Sequence, residues 1–182
     1  NPFVQLLGSQ NDMATIDLLA KLKGASNVVL VEPVEEKRKM AEKIGASFTI
    51  DPVHQDVIGT LKENGIEHVH CVIETCGRKD TSEQAMDVVD KHGTVVLFAV
   101  TAVSASMDLP TYKLFQKELT VKGSYCSPYD MGRAVELINA HRIDVTTMLA
   151  GLEPLEKLSE ILSSPQLRAK GKYIILPNGK EE

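Results

Sequence analysis

Short runs of β-branched and other apolar residues alternate along this chain with stretches in which apolar positions recur every three or four residues, so strands and amphipathic helices are expected in turn. The runs at 3–7 (FVQLL), 27–32 (NVVLVE), 47–50, 69–74, 94–100 (TVVLFAV), 104–109, 119–123 and 172–176 read as strands. Helical spacing is expected over 12–23, 34–44, 53–64, 81–91, a short stretch after Pro110, 129–140 and 155–162, with a polar loop around Pro165. Gly24 and Gly45 stand where a left-handed residue would end the first two helices. Strands that take turns with helices imply βαβ units and a mainly parallel sheet, an α/β fold.

Composition narrows the class. A chain of 182 residues with 43% hydrophobic and 25% charged residues is expected to form one domain, or one with a short appendage. Twenty Lys and Arg against 25 Asp and Glu leave a net charge of −5, a field that repels phosphate polymers and anionic lipid, so neither nucleic acid nor membrane is expected as a partner. No apolar run approaches the roughly 18 residues of a membrane span, and no basic-then-apolar segment opens the chain. Cys71, Cys76 and Cys126 are odd in number and lack paired zinc spacing, which points to reduced thiols and a cytoplasmic protein. The chain opens on Asn1 without methionine and reads as part of something longer.

The first candidate chemistry lies in residues 3–32, where a strand, a turn at Gly8, Ser9, Gln10 and Asn11, a helix and a second strand end in the acid Glu32. In a dinucleotide-binding fold the first turn offers backbone N–H groups and a helix N-terminus to a pyrophosphate, and an acid about 20 residues later accepts from the adenosine ribose. A carboxylate there favours NAD over NADP, because a 2′-phosphate meets like charge unless an arginine intervenes. The glycine pattern GxGxxG is broken, with Gln10 and Met13 at its second and third glycine positions and Asp12 adding a negative charge near the helix start. Ser9, Asn11 and Asp12 equally suit plain helix capping, and Glu32 an ordinary strand-end acid.

The runs LAKLKGASNVVLVEP, EEKRKMAEKIGA, VIETCG, GTVVLFAV and ELTVKGSYCSPYDMGRAVELI together resemble the coenzyme-binding half of zinc-dependent medium-chain dehydrogenases, nearest to the polyol and threonine dehydrogenase branch. The resemblance implies a Rossmann-type doubly wound parallel sheet of strand order 3-2-1-4-5-6, with residues 1–145 as the NAD-binding domain and 146–182 as a tail returning toward a catalytic domain. It implies Glu32 as the ribose acid and Lys37 as a basic residue beside the ribose. Thr75 and Gly77 would line the cleft after the fourth strand, and Ala99 and Val100 would lie at the nicotinamide after the fifth, with Ala99 where the family usually has glycine. Ser124 and Tyr125 would follow the sixth strand near the nicotinamide, and Lys172 would reach the pyrophosphate. Zinc would belong to an N-terminal catalytic domain, and the substrate would be a small alcohol. The segment 104–109 would be an edge strand that joins a second copy in a homodimer.

Other chemistries find little support. His68 and His70 at i, i+2 and the isolated His54, His92 and His141 read as surface or strand-end histidines, so no metal is expected. No Ser-His-Asp pattern stands out, and the charged run 35–39 reads as a solvated helix face. Two rivals to the dehydrogenase reading follow: a degenerate sheet kept for dimerisation or scaffolding, and a methyltransferase-like binder of an adenosyl cofactor, which the region after the fifth strand fits poorly.

Overall fold

The computed structural model describes residues 3–7, 13–125 and 129–179. In order these form β1 (Phe3–Leu7), α1 (Met13–Leu22), β2 (Asn27–Val31), α2 (Glu35–Ile44), β3 (Phe48–Ile50), α3 (Val57–Glu63), β4 (Cys71–Glu74), α4 (Lys79–Val88), β5 (Thr94–Leu97), α5 (Thr111–Lys117), β6 (Thr120–Gly123) and α6 (Asp130–Asn139). The six strands pair only in parallel, in the order β3-β2-β1-β4-β5-β6. Leu7 at the end of β1 is in register with Val31 on one side and Glu74 on the other, and here the winding of the sheet reverses. Open parallel sheets bind ligands outside the strand ends at such a reversal.

The period-two pattern of the strands accounts for the two layers of helix. Val28 and Leu30 pack with Ala25 and Ala41, and with Ile16 and Ala20 of α1, on one face. Val29, Val31, Val72 and Val95 pack with Val57 and Leu61 of α3 and Ala85 and Met86 of α4 on the other. Strands buried on both faces are nearly continuous apolar runs, which is how β2 reads. Gly45 ends α2 with φ 119°, its N–H donating to Ala41 O, as a left-handed C-terminal glycine should.

Several boundaries differ from expectation, each for a visible reason. Residues 104–109, expected as an edge strand, form no strand and pair with no strand of the sheet, which ends at β6. Side chains hold the segment against α4 instead: the Asp108 N–H donates to Glu83 Oε1 at 3.0 Å and Lys79 Nζ donates to Asp108 Oδ2 at 2.8 Å. β5 stops at Leu97, since the N–H groups of Phe98 and Ala99 both turn to Glu74 O, and this leaves Ala99 and Val100 in a loop. α3 begins only after Asp56, whose carboxylate accepts from Gly59 N at 2.6 Å.

The tail carries β7 (Leu149–Pro154), α7 (Leu158–Ser163), α8 (Pro165–Ala169) and β8 (Lys172–Leu176). Its strands β7 and β8 form a separate two-stranded parallel sheet. Pro165 starts a helix instead of sitting in a loop, because Ser164 Oγ accepts from Leu167 N at 3.3 Å and proline at the first helical position lacks only an N–H that would have no partner in the helix.

Candidate functional site

Glu32 follows β2, its N–H donating to Ile50 O at 3.0 Å, and it is wholly buried. Its Oε1 accepts from Val34 N at 2.9 Å, while its Oε2 is buried without a hydrogen-bond partner among the described residues. Burial pushes this carboxyl above its usual range, opposed by the bond from Val34 N and by the positive charges of Lys37 and Arg38. Lys37 is half-buried on α2, so the structure brings the expected ribose acid and the expected basic residue together.

Across β1, Glu74 ends β4 and organises the next turn. Its Oε1 accepts from Cys76 N at 2.8 Å, Gly77 N at 3.0 Å and Thr81 Oγ1 at 2.8 Å. These bonds satisfy a carboxylate that is 1% exposed and bend the chain toward the start of α4. Thr75 is buried beside it. The Cys76 thiol is pushed up to about 11, by burial first and then by the charge of Glu74, with a smaller push from Glu32. It is a poor nucleophile at neutral pH.

Gly77 has φ 70°, and a Cβ built on it would lie 3.1 Å from Ala99 Cβ, 3.2 Å from Thr101 Cγ2 and 3.3 Å from Val100 O. The turn after β4 and the loop after β5 therefore touch, and the methyl of Ala99 lies against Gly77 in place of the open space a glycine would leave. A cavity of about 160 Å³ lies between them, lined by Glu74, Gly77, Arg78, Ala99 and Thr101 among others. Thr75, Gly77, Ala99 and Val100 are thus gathered at one end of the sheet.

The remaining expected residues are placed as follows. Ser124 extends the β6 ladder, its N–H donating to Leu97 O at 3.0 Å, and both it and Tyr125 are exposed. Lys172 opens β8, in the separate sheet. Gly8, Ser9, Gln10 and Asn11, together with Asp12 and Cys126, lie outside the described residues.

Two residues that the sequence reading passed over belong to this end of the sheet. Arg78 lines the cavity and forks onto Asp80, Nε to Oδ1 at 2.9 Å and Nη2 to Oδ2 at 2.7 Å. Arg38, expected on a solvated face, turns inward: Nη1 donates to Glu32 O at 2.7 Å and Pro33 O at 2.8 Å, and Nη2 lies 3.2 Å from Asp51 Oδ2. Only position could have signalled them, Arg78 directly after the glycine and Arg38 six residues past the acid. The rest of the run behaves as expected, with exposed Glu35 and Lys39 paired at i, i+4. Among the described residues no cluster of three or more His, Cys, Asp or Glu could hold a metal ion, and no helix is long and apolar enough to cross a membrane.

A parallel sheet that reverses its winding beside two buried strand-end acids defines a Rossmann-type α/β protein. Residues 15–140 match the zinc-binding dehydrogenase family model, and the chain belongs to that family. It is 27% identical over 177 residues to D-arabinitol dehydrogenase 1 of Uromyces fabae, covering 95% of this chain and 51% of that protein. It is 32% identical over 109 residues to L-threonine 3-dehydrogenase of Pyrococcus furiosus, covering 58% and 30% respectively. A crystal structure of a zinc-binding dehydrogenase from Sinorhizobium meliloti bound to NADP superposes with a TM-score of 0.90 at 27% identity, over 97% of this chain and 53% of that one. The chain spans about half the length of such relatives.

Proposed function

We propose that this chain is the nicotinamide-dinucleotide-binding part of a dehydrogenase that oxidises a small alcohol, polyol or amino alcohol, with NAD as the cofactor. The observation that carries the reading is Glu32 Oε2, a buried acceptor without a donor among the described residues, at the strand end where an adenosine ribose would offer hydroxyls. A hydroxyl donating there would satisfy an oxygen whose desolvation is otherwise uncompensated. Lys37 would face the same ribose, Thr75 and Gly77 would pass beneath the dinucleotide, and Ala99, Val100 and Ser124 would border the nicotinamide. Gly8, Ser9, Gln10 and Asn11 would meet the pyrophosphate, with Lys172 as a further contact. When bound, the nicotinamide accepts a hydride from the alcohol carbon; this chain holds and orients the ring.

Zinc and the substrate contacts would come from a catalytic part preceding this chain, since the metal chemistry of the family needs convergent ligands that the described residues do not supply. Residues 146–182 would return toward that part, a reading supported by the separate β7–β8 sheet and its exposed Leu149, Leu152 and Ile174. The irregular segment 104–109 would become regular by pairing with a second copy in a homodimer. The free thiols Cys71 and Cys76 suit a cytoplasmic setting.

A second reading, a sheet retained for pairing without a dinucleotide, is favoured by the complete burial of Glu32, which a ribose could reach only if what covers it gives way. Titration with NADH, followed by its fluorescence, separates the two. Saturable enhancement supports the cofactor reading, and a flat titration supports the second. Adenosylmethionine in parallel checks the methyltransferase alternative.

A further inference from the structure

Arginine beside the ribose acid is the feature that lets a dinucleotide fold accept a 2′-phosphate, and this chain has one, Arg38. Its guanidinium is already occupied. Nη1 donates to the carbonyls of Glu32 and Pro33 at 2.7 Å and 2.8 Å, and Nη2 pairs with Asp51 Oδ2 at 3.2 Å, both side chains being less than a fifth exposed. Asp51 is itself pinned at the end of β3. Its Oδ1 accepts from Val53 N at 2.9 Å, its Oδ2 lies 3.0 Å from His54 Nδ1, and its own N–H donates to Gln55 Oε1 at 2.8 Å. Recognition of a phosphate by arginine uses two parallel N–H bonds, and this arrangement engages both terminal nitrogens elsewhere.

We propose that Asp51 is a specificity-determining positioning residue: by clamping Arg38 to the end of β2, it withholds the guanidinium from a 2′-phosphate and selects NAD over NADP. The inference rests on the reading that this strand end binds a dinucleotide. Glu32 contributes the repulsive half of the discrimination through its charge, and the clamp removes the attraction that would offset it. Cofactor choice is open in proteins of this fold, as the NADP-bound relative illustrates.

The test measures dissociation constants of NADH and NADPH for the 182-residue chain and its variants by fluorescence. The unaltered chain is expected to prefer NADH. Asp51→Asn should lower the NADPH-to-NADH ratio of dissociation constants about tenfold through tighter NADPH, the size of one charge-assisted contact, while NADH moves less than about twofold. Asp51→Glu, which keeps a carboxylate, should restore most of the preference, and adding Arg38→Met to Asp51→Asn should abolish the gain. If Asp51→Asn does not fold, as its thermal melt would show, Asp51→Ser reads the same ratio. A ratio that stays fixed while NADH binds normally overturns the clamp alone, as does an equal loss for both nucleotides. No binding of either nucleotide by the unaltered chain overturns the cofactor reading, and the clamp with it.

Discussion

Among the described residues two carboxylates are buried with oxygens that no described donor reaches, Asp17 on α1 and Glu32 after β2. Desolvation pushes Asp17 up to about 7, only partly opposed by Lys21, whose ammonium is drawn away to Ser26 O and Ser47 Oγ. The folded state therefore binds more protons than the unfolded one between roughly pH 4 and 7, and stability should fall as pH rises through that window and level off above it. The full span of the shift corresponds to about 4 kcal/mol at most. Denaturant unfolding at pH 5 and pH 8 checks the slope, and Asp17→Asn should remove most of it. Nothing in the sequence marked Asp17, because its position within an amphipathic pattern reads as polar surface. Glu32 was legible from its place at the end of NVVLVE, whereas its orphaned oxygen depends on what packs around it. Glu32→Ala should weaken NADH about tenfold in a fluorescence titration, the cost of a charge-assisted hydrogen bond.

Elements were more legible than their ends. The alternation of apolar runs and helical spacing located the six strands of the main sheet and the helices among them; β2, buried from Val28 to Val31, is apolar throughout as a strand covered on both faces must be, whereas the edge strand β6 is largely exposed. β7 escaped notice because Leu149–Pro154, LAGLEP, carries glycine, glutamate and proline and becomes a strand only by pairing with the β-rich KYIIL of β8. Residues 104–109 show the converse, an alternating segment that is held by side chains against α4 and forms no strand. One contact between elements was invisible in sequence: Lys117, at the end of α5, donates through Nζ to Asp87 O at 3.0 Å and Val89 O at 2.6 Å, satisfying carbonyls at the C-terminus of α4. Lys117→Met should lower stability by about 1–3 kcal/mol, as a loss of charged hydrogen bonds at a helix end does. Thermal melts near neutral pH would show it as a shift to lower temperature.

The whole molecule joins a reversed-winding sheet to a small second sheet, and its family relatives are about twice as long. Apolar side chains stand exposed along one stretch, with Val103, Leu109, Tyr112 and Phe115 each at least 48% accessible. In the proposed dimer this stretch is covered. Sedimentation equilibrium should then show a dimer, and Val103→Asp should shift it toward monomer with the circular dichroism of the folded chain unchanged, because Val103 makes no buried contact within the chain. A crystal structure of the chain grown with NAD tests the ribose site itself. The expected result is the adenosine ribose against the end of β2, a hydroxyl within hydrogen-bond distance of Glu32 Oε2 and the dinucleotide running over Gly77. A nucleotide bound elsewhere, or Glu32 still sealed with that oxygen unpartnered at saturating NAD, would contradict it.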